Sequence, residues 1–294
     1  MGADRARSAD PRCPAAARRV PPFSRERRVS PPVQIVSVSS LKGGVGKSSV
    51  TLGIASAALE AGVPTLVVDL DPHADATTGL GVHPARGQDI GEVLRRPRRG
   101  SLDRVVMASA WAVREGRDSK SLDVAPGSAR SSHLDRSEYR DRDLGRLERA
   151  LADARGYDLV LVDCPPTLSA LTRTAWAASD KVLSVAEPSL FSVAGTKRTM
   201  TAIAQFEQSR TWAVPAAGVV VNKVRHSSVE HRHRLAELQE LFGPLLVDPV
   251  VPDLPVWQQA QGAAWPIHRW PGAEARDISG RYTAILEGLL DAAA

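Results

Sequence analysis

Cysteine is nearly absent from these 294 residues, and the two present, Cys13 and Cys164, have neither metal-ligand spacing nor the density of a disulfide framework. A reducing compartment is therefore the expectation. No apolar run is long enough to span a bilayer, so a transmembrane helix is excluded on the sequence. Surplus charge is also missing from most of the chain. Residues 1–30 hold eight arginines against Asp4, Asp10 and Glu26, which is the whole formal excess of +5; the remainder balances at thirty basic and thirty acidic residues. Any affinity of the body for a polyanion must come from local clusters.

The first 32 residues are also rich in proline and poor in anything that builds a core, and they are expected to be disordered. They lack the apolar segment of a secretory signal. A solvated leader, a mistaken start site and an accessory DNA-binding arm all fit them. Residues 33–294 form the expected folded domain, with ordinary hydrophobic (43%) and charged (24%) content. Six apolar, β-branched runs read as buried strands: 33–39, 64–70, 121–127, 157–163, 180–186 and 215–222. Helical or turn-rich segments separate them, so the fold expected is α/β with a doubly wound, mostly parallel sheet, whose ligands bind at the carboxyl ends of the strands. The stretch 83–120, with Arg95, Arg96, Arg98 and Arg99 around Pro97, reads as an irregular basic surface insertion.

Between the first strand and a helix stopped by Gly62 lies SSLKGGVGKSS, residues 39–49. Glycines in a strand-to-helix turn leave backbone N–H groups free to wrap a polyphosphate at a helix N-terminus. Gly43, Gly44, Val45, Gly46, Lys47, Ser48 and Ser49 are the expected ATP-binding loop, with Lys47 on the β- and γ-phosphates and the Ser48 hydroxyl on Mg2+. The loop departs from G-x-x-x-x-G-K-[ST] at Leu41, and a second lysine, Lys42, comes next.

This K-G-G-x-G-K-[ST] form resembles the deviant Walker A motif of the ParA/MinD family of P-loop ATPases. The resemblance runs from about residue 34 to 290 and implies that Lys42 reaches across a dimer interface to the partner's nucleotide, as an arginine finger does. Asp163, closing YDLVLVD ahead of CPP, resembles the Walker B aspartate that holds Mg2+. VVDLDPHADATTGLG resembles the family's D-x-D-P-x-x-N-A-T stretch, with Asp71 acting on the attacking water and Asp69 supporting the metal site; an ordinary structural role also fits Asp69. His73 and Asp75 replace the usual Gln and Asn, and Glu187 stands where glutamine is frequent.

The sequence V-N-K-V-R at 221–225 lacks the aspartate of the guanine-reading N-K-x-D, since Arg225 occupies that position, so adenine is expected. The resemblance implies base contacts from Asn222 and from Pro252 and Asp253. Lys223, Arg225, Arg232 and Arg234, interleaved with histidines, form the candidate DNA-binding cluster, for which a solvated helix end is the alternative. The last helix carries Glu287 and Asp291 and lacks the cationic side of MinD-like membrane anchors. Cys13 lies in the tail, away from Cys164, which excludes the cluster-bridging pair of iron–sulfur relatives. Together the motifs and the resemblance imply a cytoplasmic, nucleoid-associated ATPase that homodimerises with ATP, binds DNA without sequence preference, and answers to a ParB-type activator. An orphan ATPase positioning another cargo and a metabolic P-loop ligase are the alternatives.

Overall fold

The computed structural model describes residues 33–118, 120–135, 141–152, 154–209 and 214–291. The arginine-rich tail, residues 1–32, lies outside the described residues, and so does Cys13 within it.

All six expected runs become strands: β1 Gln34–Ser39, β2 Thr65–Asp69, β4 Leu122–Ala125, β5 Leu159–Asp163, β6 Lys181–Ala186 and β7 Ala216–Val221. Two further strands of two residues, β3 Met107–Ala108 and β8 Leu246–Val247, complete an eight-stranded sheet in the order β3-β4-β2-β5-β1-β6-β7-β8. Every pairing is parallel except β3 with β4. Side chains alternate across the sheet as the strand period demands. Leu159 and Leu161 of β5 join Val36 and Val38 in one core, while Val160 and Val162 join Leu66 and Val68 in the other. Both faces are thus covered, which is why these runs are apolar throughout.

Six helices of eight or more residues occur among the described residues: α1 Lys47–Ala61, α2 Ala170–Ala178, α3 Leu190–Gln208, α4 Val229–Phe242, α5 Pro255–Gly262 and α6 Ala273–Asp291. Gly62 ends α1 in the left-handed region at φ 70°, and the Val63 N–H returns to the Ala58 carbonyl at 2.9 Å. Helix α1 is wedged between the sheet and α6. A Cβ on Gly53 would lie 2.2 Å from the Tyr282 ring, so only glycine allows this approach. The apolar stripe of α6, Ile278, Tyr282, Ile285, Leu286 and Leu289, is buried in that core. No helix among the described residues is long and apolar enough to cross a membrane.

One expectation is corrected. The 83–120 stretch is not an irregular surface insertion. It contributes short helices at Ile90–Arg95 and Ala110–Arg114 and the edge strand β3, and it buries Ile90, Leu94, Leu102 and Trp111. Asp89, itself buried, accepts a hydrogen bond from the Glu92 N–H and so caps the first of these helices.

Candidate nucleotide site

The carboxyl ends of β1, β2 and β5 converge because Val38 is in register with Asp163, and Asp163 with Asp69. The glycine loop leaves β1 there and enters α1. Gly44 and Gly46 take φ of 82° and 91°, left-handed values that a side chain disfavours. The end of β7 clamps this loop. Asn222 Nδ2 donates to the Val45 carbonyl at 3.0 Å, and Lys223 Nζ to the Gly44 carbonyl at 2.6 Å. A Cβ on Gly46 would sit 2.2 Å from Asn222 Nδ2. Lys47, the first residue of α1, is buried beside these groups.

The Ser48 hydroxyl donates to Asp163 Oδ2 at 2.6 Å, and Thr51 Oγ1 to Asp163 Oδ1 at 3.3 Å. Asp163 is fully buried. Burial, and then the charge of Asp69, push its carboxyl well above the usual range; burial does the same to Asp69. A hydroxyl and a buried carboxylate short of cationic compensation are hard oxygen donors, and they fit Mg2+ completed by phosphate oxygens and water. Among the described residues no three His, Cys, Asp or Glu side chains gather as a metal cage.

Asp69, in register with Asp163, is held by hydrogen bonds from its own loop. Its Oδ2 accepts from the Thr77 N–H at 2.8 Å and the Thr77 hydroxyl at 2.7 Å, and its Oδ1 from the Asp71 N–H at 3.2 Å. These bonds fix the turn that presents Asp71, the structural role that also fits this residue. Asp71 accepts at Oδ1 from the His73 N–H at 3.0 Å and lies 2.9 Å from His73 Nδ1. That hydrogen bond, and then the Asp71 charge, raise the His73 pKa above 6.5.

Lys42 Nζ lies 2.7 Å from Glu187 Oε1, which the Ser189 hydroxyl also approaches at 3.1 Å. In this single chain the Lys42 ammonium is therefore held by the carboxylate of the residue that follows β6. Beside it, Leu190 and Phe191 are large apolar side chains left 53% and 75% exposed at the start of α3.

The two stretches expected around the base do meet. The Val224 N–H donates to Val251 O at 3.0 Å, the Asp253 N–H to Val224 O at 3.0 Å, and Val224 bridges to Pro252. Arg225 Nε donates to Asp253 Oδ2 at 2.6 Å. The four cations expected to bind DNA each have a partner within the chain. Lys223 turns to the phosphate loop, Arg225 pairs with Asp253, and Arg232 donates to the His226 carbonyl at 2.8 Å. Arg234 is bound by Glu230 and Glu237, each at 2.7 Å.

Sequence reasoning missed Thr77 as the anchor of Asp69, Thr51 as a second donor to Asp163, and Glu187 as the partner of Lys42. The acidic neighbours of Arg234 at i−4 and i+3 were a readable signal; the others join positions distant in the chain. Two groups outside the site are inert. Burial pushes the Cys164 thiol up to about 12. Ser56 Oγ, His268 and Glu115 form a hydrogen-bonded chain at 2.8 and 2.7 Å with the connectivity of an acyl-transfer triad, but Ser56 is wholly buried within α1, where no substrate reaches it.

Comparison with known proteins agrees with this geometry. A family model described as an AAA domain matches residues 33–213. The chromosome partitioning protein ParA of Caulobacter vibrioides is 29% identical over 230 residues, covering 75% of this chain and 81% of that protein. Among solved structures, an ATP complex of McdA from Cyanothece has a TM-score of 0.74 at 18% identity, covering 88% of this chain and 96% of that one. Cobyrinic acid a,c-diamide synthase from Mycobacterium smegmatis, bound to ADP and magnesium, has a TM-score of 0.70 at 21% identity, covering 88% and 94%.

Proposed function

This chain belongs to the AAA-domain P-loop family of the ParA and Soj type, and from that premise we propose that it is a Mg2+-dependent ATPase whose ATP-bound form is a homodimer that binds DNA. A ParB-type protein would trigger hydrolysis, in the service of chromosome or plasmid partition at the nucleoid in the cytoplasm. The observation that carries the reading is the convergence, at the carboxyl ends of the central strands, of the clamped glycine loop, buried Lys47, the Ser48–Asp163 pair and Asp71.

The backbone N–H groups of 43–47 and the Lys47 ammonium hold the β- and γ-phosphates, while Asn222, Pro252 and Asp253 line the base side. Ser48 and Asp163 would hold Mg2+, which supplies charge neutralisation across the phosphate oxygens. Asp71 accepts a hydrogen bond from the attacking water and orients it towards the γ-phosphorus. Lys42 from the second protomer brings a cation to the same phosphates. For that it must leave Glu187, and the exposed Leu190 and Phe191 alongside are suited to be covered in the same contact.

Hydrolysis by the purified chain should be slow alone and rise when DNA and a ParB-type partner are supplied together. Absence of ATP turnover in every combination overturns the reading. The likeness to the diamide synthase favours a second reading, an amide-forming ligase on this fold. Turnover that depends on a small carboxylic acid and an amide donor, and not on DNA, would select it.

His73 adds a pH dependence. Its Nδ1 faces Asp71, with Asp75 and Lys47 as the other charges acting on it. Below its raised pKa the imidazolium occupies the Asp71 carboxylate and weakens it as an acceptor for water. As pH rises through that value the charge is lost and the hold on Asp71 weakens, so hydrolysis should increase. Single-turnover rates between about pH 6 and about pH 8 should show this rise in the parent and a flattened profile in His73→Gln. An unchanged profile in the variant would remove His73 from the account.

A further inference from the structure

A cavity of about 460 Å³ opens between the short helix Ile90–Arg95 and the 3-10 turn Ala129–Leu134. Arg86, Gly91, Glu92, Arg95, Arg130 and His133 line it. Its walls are fixed by their own sequence. The Ile90 N–H donates to the Pro126 carbonyl at 2.8 Å, and a Cβ on Gly91 would come within 3.3 Å of the Ser131 backbone, so glycine lets the two segments dock closely. Ser131 Oγ in turn donates to the Ser128 carbonyl at 2.7 Å, which holds the turn carrying Arg130.

Three guanidinium groups and an imidazole thus line a cavity that holds one carboxylate, Glu92. Glu92 is engaged by Arg95 Nη1 at 3.1 Å and lies 3.9 Å from Arg130 Nη1. Arg86 has no carboxylate partner among the described residues, and Arg96 and Arg98 extend the exposed cationic surface just beyond the cavity. From residue 31 onward the chain is neutral in total, so this is a segregation of charge and not a sample of a basic surface. In the cluster at 223–234 all four cations are engaged, by Gly44, Asp253, His226, Glu230 and Glu237, whereas here Arg86 is left without a carboxylate among the described residues.

The geometry points to the Arg86–Arg95–Arg130 cavity as a second binding site, one that takes the phosphodiester backbone of nucleic acid. Guanidinium forks match phosphate oxygens two at a time, and the arginines lining this open cavity can present them to a phosphate and its sugar. Contacts of this type carry no sequence information, which agrees with binding any DNA. The inference rests on the DNA-binding part of the proposed function, but assigns the contacts to a surface remote in sequence from the cluster read at 223–234.

The test is fluorescence anisotropy of a random-sequence DNA duplex with the full chain, Mg2+ and ATP, across a salt series. The triple variant Arg86→Ala, Arg95→Ala, Arg130→Ala should bind at least about tenfold more weakly, and its salt slope should be shallower by about 0.9 for each phosphate that is no longer neutralised. Replacing the same three residues by lysine should restore the salt slope but only part of the affinity, since an ammonium cannot match two phosphate oxygens as a fork does, and nucleotide binding by the triple alanine variant should equal the parent's, which reports an intact fold. A triple alanine variant that binds DNA like the parent overturns the inference. Loss of DNA binding in Arg232→Ala, Arg234→Ala alone does so too, while leaving the proposed function standing. A parent that binds no DNA removes both. If the triple variant loses affinity for vesicles of anionic lipid and not for the duplex, the cavity serves a membrane surface and the assignment to nucleic acid is wrong.

Discussion

Lys47→Ala is expected to remove most of the affinity for ATP. Lys47 is buried at the N-terminus of α1, in the one place where a polyphosphate can meet both the glycine-loop amides and an ammonium group. Removing one partner of a buried ion pair costs about 3–5 kcal/mol, because the remaining charge is left uncompensated. At about 1.4 kcal/mol per factor of ten, ATP affinity should fall by about two to four orders of magnitude. The loss should not come from unfolding. Alanine is a better helix former than lysine, and the loop is held from outside by Asn222 and Lys223. Calorimetric titration with ATP and Mg2+, alongside a thermal melt, separates the two causes. Tight binding by the variant would mean that the loop does not cradle phosphate.

How much of this was legible differs from element to element. The six longer strands could be read because each is a β-branched run buried on both faces, a pattern with few alternatives. The glycine loop could be read because its backbone demands are written residue by residue: Gly44 and Gly46 take positive φ, and Gly46 also faces Asn222. Strands β3 and β8 span two residues each, too short to show any period. The core contribution of 83–120 was hidden because Ile90, Leu94 and Trp111 stand among arginines, so local composition outweighed spacing.

Within the site, residue types were readable and partners were not. Asp163 stood out as the end of an apolar strand downstream of the loop. That Asp69 belongs to Thr77, and Lys42 to Glu187, depends on strand order. The Lys42–Glu187 pair joins residues 145 positions apart through the β1–β6 adjacency. The pairing of the cations at 223–234 was missed for a different reason. Counting the bases ignored Glu230, Glu237 and Asp253, the acids that neutralise Arg234 and Arg225.

The central claim is a dimer whose catalytic sites are shared between protomers, and mixing two inactive variants tests it most directly. Lys42→Gln removes the cation that a protomer lends to its partner; Asp71→Ala removes the water-orienting carboxylate that it keeps for itself. Each homodimer then has two defective sites. In a mixed dimer one site has both groups, its own Asp71 and the partner's Lys42, while the other has neither. Equal mixing makes half of the dimers mixed with one complete site in two, so ATPase activity should recover to about a quarter of the parent's. Light scattering with ATP and differently sized tags on the two variants establishes that mixed dimers form. Recovery of activity on mixing is the result predicted. Mixed dimers that form and remain inactive would contradict it, leaving Lys42 paired with Glu187 in its own chain and the sites unshared.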